Sequence, residues 1–149
     1  MRLRLLLSYR PSTKISIIDK SSRLSGVSNI ISSQGLTLLG GEPFLNTGIL
    51  LPLIKRIRKE LPEKDIWSWT GYTWEEMMLE TPDKLELLSL IDILVDGRYD
   101  KSKRNLMLQF RGSSNQRIID VQKSLKSGQV VIWDKLNDGK ESYEQVKRE

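Results

Sequence analysis

Three short apolar runs, each closed by glycine, constrain what this chain can fold into more than any other feature. Gly35-Leu-Thr-Leu-Leu runs into Gly40-Gly41, Asp65-Ile-Trp-Ser-Trp-Thr into Gly71, and Ile91-Asp-Ile-Leu-Val into Asp96-Gly97. Runs of this length bounded by turn residues read as buried strands. Between the first two, Leu50, Leu53, Ile54, Ile57 and Leu61 recur at helical spacing, with Lys55, Arg56, Arg58 and Lys59 facing outward and Pro62 as a stop. Thr73 caps the next helix, with Glu75 and Glu76 near its positive end. After Thr81-Pro82-Asp83 comes a short helix from Lys84 to Leu90. This alternation predicts βαβ units, hence an α/β domain with a parallel sheet and right-handed crossovers. Gln129-Val-Val-Ile-Trp reads as a further strand.

In such sheets, ligands bind beyond the C-terminal ends of the strands. Those ends are Gly40-Gly41-Glu42-Pro43, Thr70-Gly71-Tyr72 and Asp96-Gly97-Arg98, and all three should open onto one face. Glycines let the backbone approach a ligand, Pro43 fixes the exit, and Glu42 offers a carboxylate to an α-ammonium group. The same residues also suit a plain strand-to-helix turn with a solvated glutamate. Thr70, Tyr72 and Asp96 are candidates for the rim, and Asp96 equally for a turn cap. Trp67 and Trp69, two residues apart, share one face of their strand. Arg111, Gly112, Ser113, Ser114, Asn115 and Gln116 form a polar loop. It suits either a clamp on a ligand or partner, or a loop that satisfies its own turns.

Composition removes several chemistries. Among 149 residues there is no cysteine and no histidine, so no disulfide, thiolate or imidazole metal site, Ser-His-Asp triad or cysteine nucleophile is available. No catalytic residue and no metal ligand is assigned. No run of eighteen apolar residues exists, and Leu5 to Leu7 is too short for a signal core, which favours a cytoplasmic protein without a membrane span. Neither Gly-x4-Gly-Lys-Ser/Thr nor Gly-x-Gly-x2-Gly occurs. Residues 1–34 hold six basic side chains against Asp19, while residues 35–149 hold eighteen basic and eighteen acidic groups. The net charge of +5 therefore belongs to the head, a poor footprint for nucleic acid. The head, 1–33, contains nine serines and no Trp or Glu; Ile15-Ser-Ile-Ile and Ile30-Ile suit short strands within it. A boundary is expected at Gln34, with a body over 34–136 and a charged tail over 137–149.

The body also resembles a known family. Gly35-Leu-Thr-Leu-Leu-Gly-Gly-Glu-Pro-Phe resembles the second strand of radical S-adenosylmethionine enzymes. Lys64-Asp-Ile-Trp-Ser-Trp-Thr-Gly-Tyr, Asp92-Ile-Leu-Val-Asp-Gly-Arg-Tyr and Phe110-Arg-Gly-Ser-Ser-Asn-Gln-Arg look like the branch that activates anaerobic ribonucleotide reductase. These segments fall in the family's order between about Gln34 and Gln122. The resemblance implies a partial (β/α) barrel in which Gly40, Gly41, Glu42 and Pro43 meet the methionine amino group. It implies S-adenosylmethionine and a 4Fe-4S cluster as cofactors, and formation of a glycyl radical on the reductase's large subunit. A flavodoxin-type protein is the implied electron donor.

The family's Cys-x3-Cys-x2-Cys loop after its first strand has no counterpart here. Ser21, Ser25 and Ser28 repeat the spacing, but a serine hydroxyl is a hard donor that rarely ionises, and the segment lies too near Gly40 to leave room for the family's intervening helix. The expectation is therefore that first strand and cluster loop are missing or replaced, and that S-adenosylmethionine is held weakly. Two origins stay open: a misassigned or out-of-frame start, or a cluster-free relative that binds S-adenosylmethionine or the reductase without catalysis.

Overall fold

The computed structural model describes residues 35–135, and the backbone alone of residues 2–6 and 16–18. One sheet contains β1 (Arg2–Leu6), β2 (Ser16–Ile18), β3 (Gly35–Leu39), β4 (Asp65–Trp69), β5 (Ile93–Asp96) and β6 (Arg117–Asp120), in the order β2-β1-β3-β4-β5-β6. β1, β3, β4 and β5 are parallel, whereas β2 and β6 are antiparallel at the edges. The helices are α1 (Thr47–Glu60), α2 (Trp74–Met77), α3 (Pro82–Ser89) and α4 (Val121–Ser127). The result is a mixed α/β domain around four parallel strands. Among the described residues the sheet stays open and does not close into a barrel. No helix among them is long and apolar enough to cross a membrane.

Alternation along the strands divides the core into two faces. Leu36, Leu38, Ile66, Leu94 and Ile119 point to the helical side, where Leu50, Ile54 and Ile57 of α1 and Leu87 and Leu88 of α3 cover them. Trp67, Ile93, Val95 and Ile118 point the other way, with Trp69 and Trp133 packed against them. Trp133 meets Trp67 edge-on at 4.9 Å between centroids, and Phe110 lies 5.0 Å from the same ring. Phe110 adopts φ 59°, a left-handed conformation unusual for a large side chain, and the Trp69 indole donates to its carbonyl at 2.9 Å.

Three features depart from the sequence expectations. The place ahead of β3, where the first strand is expected to be missing or replaced, holds β1, paired from Arg2 with Gly35 to Leu6 with Leu39, so it is not empty. β2 falls within Ile15-Ser-Ile-Ile. Ser21, Ser25, Ser28, Ile30-Ile31 and the tail from Asn137 lie outside the described residues. Gln129–Trp133 is not a strand of its own: Gly128 ends α4 at φ 72°, and the returning chain meets β6 at an isolated bridge, Ile119 with Ile132. Only Asp120 N to Val131 O and Trp133 N to Ile118 O are made there. The strand on the other edge of β5 is β6, four residues beginning on the polar Arg117, for which no strand is expected from the sequence.

Arg58 is the third departure. It does not simply face outward: its guanidinium donates to the carbonyls of Leu90 and Lys64 and, at 2.6 Å, to Asp92. Asp92 in turn accepts from Ile66 N at 2.7 Å. The long side chain thus folds back from α1 to tie the entrances of β4 and β5 together.

Candidate functional site at the strand ends

The chain leaves β3 through two left-handed glycines, Gly40 at φ 84° and Gly41 at φ 50°, a turn that side chains resist. Glu42 then caps the short 3-10 turn Pro43–Leu45, and Pro43 and Phe44 are buried. Glu42 Oε1 accepts from Phe44 N at 3.2 Å and from the Thr70 hydroxyl at 2.9 Å; Oε2 accepts from Gly71 N at 2.8 Å. A carboxylate offers about four lone-pair positions, so three are filled from within the chain. Glu42 therefore joins the ends of β3 and β4. Thr70, itself buried, accepts from Tyr72 N at 3.1 Å while it donates to Glu42.

The end of β5 is built on Asp96, whose side chain is only 1% exposed. It accepts from Trp74 N at 2.8 Å, from Arg117 N at 3.2 Å and from the Arg117 guanidinium. The outer edge of that guanidinium reaches Glu75, with Nη1 to Oε1 at 3.1 Å and Nη2 to Oε2 at 2.8 Å. Hydrogen bonds to Asp96, and then to Glu75, raise the Arg117 pKa against the opposing effect of burial, so it stays cationic. The same contact lowers the Glu75 carboxyl below its ordinary range. α2 presents Glu75 because Thr73 and Glu76 form a reciprocal capping box at its start.

Between these two strand ends lies an open cleft of about 510 Å³, lined by Gly71, Thr73, Glu75, Glu76, Asp96, Gly97, Arg98, Asn115 and Arg117. Of the residues singled out in the sequence, Glu42 and Thr70 are brought into contact, and Asp96 and Asn115 line the cleft beside Gly71. Gly40, Gly41 and Pro43 stand at the end of β3, outside the cleft lining. The Tyr72 ring packs against the helical core, with Lys84 Nζ 5.5 Å from its centroid.

The loop from Arg111 to Gln116 largely serves its own turns and its neighbours. Gln116 Oε1 accepts from the backbone of Gly112 and Ser113, while its Nε2 donates to Gly97 O at 3.0 Å. Asn115 donates to Arg98 O, the buried Ser113 hydroxyl accepts from Asp100 N, and Ser114 N donates to Lys103 O. Arg111 is half-buried at the start of the loop. Arg117 and the cleft role of Glu75 were not visible in the sequence. The one available signal was that Arg117 closes the segment Phe110-Arg-Gly-Ser-Ser-Asn-Gln-Arg.

An open, largely parallel sheet with glycines and paired charges gathered beyond its strand ends is the form of a ligand-binding α/β domain. The family model of the 4Fe-4S single cluster domain matches residues 12–119, and the chain belongs to that family. It is 46% identical over 90 residues to an anaerobic ribonucleoside-triphosphate reductase-activating protein of Pasteurella multocida, covering 59% of this chain and 56% of the relative. Proteins of the same name from Haemophilus influenzae and Enterobacteria phage T4 are 45% identical over 92 residues and 41% identical over 87. These matches cover 59% and 57% of this chain, and 56% and 52% of the relatives. The chain thus spans about half the length of the curated relatives it matches. No solved structure matches it.

The cluster in the family's description does not fit the residues present. Iron–sulfur clusters are held by thiolates, in some centres with imidazole, and this sequence has neither. Among the described residues no three acidic side chains gather as an alternative ligand set.

Proposed function

We propose that this chain works in the activation of anaerobic ribonucleoside-triphosphate reductase, as the α/β body that binds S-adenosylmethionine and engages the reductase's large subunit. The observation that carries this reading is 46% identity over 90 residues to a protein named for that activation. The resemblance of the strand-end segments extends it to the radical S-adenosylmethionine type, with its partial barrel and glycyl-radical product. Within this reading, Gly40 and Gly41 give the methionine end of the cofactor close access to the backbone, and Pro43 holds the turn open. Glu42 has one acceptor position left for the ammonium group. Thr70, Tyr72 and Asp96 shape the rim, and the loop from Arg111 to Gln116 offers its exposed residues Gly112, Ser114 and Asn115 to the reductase, with the buried Ser113 holding the loop in place.

No radical step is assigned to these residues, because the chain supplies no thiolate for the cluster that the chemistry requires, and a flavodoxin-type donor has nothing here to reduce. The contribution is recognition without radical formation, and the partner enzyme would set the cytoplasm as its location. The test is anaerobic gel filtration of the chain with the reductase large subunit, followed by electron paramagnetic resonance after addition of S-adenosylmethionine and reductant. A co-eluting complex with no glycyl-radical doublet is expected. Separate elution of the two proteins would overturn the proposal.

A further inference from the structure

The cleft between the ends of β4 and β5 contains one contact that its fold does not require. Arg117 uses the inner edge of its guanidinium on Asp96, which is 1% exposed and also held by two backbone N–H groups. Removing that partner would strand a buried charge. The outer edge is different. It makes two hydrogen bonds, at 3.1 and 2.8 Å, to the two carboxylate oxygens of Glu75, whose side chain is 62% exposed on a one-turn helix. Two N–H groups set against two carboxylate oxygens is the geometry by which arginine recognises carboxylates in general. Glu75 gives up little by leaving, because water solvates it as well as the ion pair does.

The surroundings suit a small ligand. The cleft, at about 510 Å³, lies within the range of small-molecule sites of roughly 300–1,000 Å³. Gly71 and Gly97 contribute no side chains to its floor, and exposed Arg98 adds a second cation at the rim. We propose that this cleft is a carboxylate-binding site, with Arg117 as receptor and Glu75 as an internal stand-in that a ligand's carboxylate displaces. Resting on the function proposed above, the carboxylate is that of the methionine moiety of S-adenosylmethionine. Asp96 is then a positioning residue, which fixes the guanidinium so that its outer edge faces the cleft.

The test compares S-adenosylmethionine with decarboxylated S-adenosylmethionine, which keeps the ammonium and sulfonium groups, by calorimetry on the full chain. The intact cofactor should bind about tenfold more tightly, a preference that a charge-assisted hydrogen-bond pair supplies. Glu75→Gln, at an exposed position, removes the competitor and should raise affinity for the intact cofactor severalfold without changing the decarboxylated one. Arg117→Lys keeps a cation beside Asp96 but loses the fork, and should abolish the preference. Equal binding of the two ligands to wild type and to Glu75→Gln overturns the proposal.

A second readout separates this inference from the function it rests on. Acetate is titrated against the Glu75→Gln chain while the Arg117 Nε resonance is followed by NMR. A saturable shift with no cofactor binding at all would mean that the carboxylate site stands and the S-adenosylmethionine reading fails. An unmoved Arg117 signal would overturn the site itself.

Discussion

Glu42 at the end of β3 accepts a hydrogen bond from the hydroxyl of Thr70 at the end of β4, at 2.9 Å and across 28 residues of chain. The same carboxylate accepts from the Gly71 and Phe44 backbone N–H groups, so it is a structural joint between the strand ends. Each buried donor left without its acceptor costs about 1–3 kcal/mol. Glu42→Ala should therefore lower unfolding stability by about 2 kcal/mol or more, and Glu42→Gln, which retains one acceptor oxygen, by less. Urea denaturation followed by tryptophan fluorescence measures both. Unfolding stability of Glu42→Ala equal to that of wild type would show that the carboxylate is not holding the strand ends.

The same joint bears on affinity. Under the proposed function, and with the cluster's iron absent as an anchor, binding of S-adenosylmethionine would rest on contacts such as the remaining acceptor position of Glu42. A charge-assisted hydrogen bond contributes about 1.5–3 kcal/mol, and association entropy offsets much of that. A dissociation constant in roughly the millimolar range is expected, weakened further in Glu42→Gln. Micromolar binding by calorimetry would contradict this, as would an affinity indifferent to Glu42→Gln.

At the opposite end of the sheet, Arg58 joins α1 to the entrances of β4 and β5 through Asp92 and two backbone carbonyls. Arg58→Ala removes all of these and leaves Asp92 without its cation. The two side chains are 21% and 33% exposed, so solvent screens part of the loss. A destabilisation of about 1–2 kcal/mol is expected by thermal or urea unfolding, and Arg58→Lys should restore only part of it because lysine lacks the fork. A shift no larger than that of Arg56→Ala, whose i,i+4 pair with Glu60 lies on the surface, would refute the role.

How far the sequence foretold this architecture depends on the range of the interactions. Leu36, Leu38, Leu50, Ile54 and Ile57 repeat with the periods of strand and helix, and those periods are local, so β3 and α1 were legible. Glu42, Thr70 and Asp96 were legible as strand-end residues for the same reason. β6 was not, because Arg117-Ile-Ile-Asp is four residues long with only two apolar positions, and its place is set by long-range pairing with β5, Asp96 lying opposite Arg117 21 positions away. The cation of the cleft was hidden with it. Gln129–Trp133 failed in the opposite sense: an apolar run with strand composition arrives at the edge of β6 after the Gly128 turn and makes only an isolated bridge. Arg58 shows the limit of facing arguments, since a long side chain can start outward and end on a carbonyl behind it.

The pair of Glu75 and Arg117 should be visible in a pH titration. Hydrogen bonding to Arg117 lowers the Glu75 pKa in the folded chain, so the folded state binds the proton less readily than the unfolded one. The contact's contribution is thus present above the ordinary glutamate pKa and is lost as pH falls through the lowered folded value. Carboxyl carbon NMR should place the Glu75 midpoint below the ordinary glutamate range in wild type, and back within it in Arg117→Gln. An unchanged midpoint would mean that the two side chains do not pair in solution.

The last expectation concerns the cluster after which the family is described. Four irons and four sulfides are held in proteins by anionic, polarisable sulfur donors, because iron–thiolate bonding is soft and covalent where a hydroxyl is hard and stays protonated near neutrality. This chain has no cysteine, and its described acidic side chains form no ligand group. Anaerobic reconstitution with ferrous iron, sulfide and thiol should therefore leave no stoichiometric iron or sulfide on the chain after desalting, and no charge-transfer absorbance. Introducing cysteine at Ser21, Ser25 and Ser28 together is the informative comparison, since those positions repeat the Cys-x3-Cys-x2-Cys spacing. If the triple variant takes up a cluster while wild type does not, ligand chemistry alone separates this chain from a cluster-binding one. If wild type itself returns about four irons per chain, oxygen ligands from the serines or carboxylates hold them, and the recognition-only function proposed here is wrong.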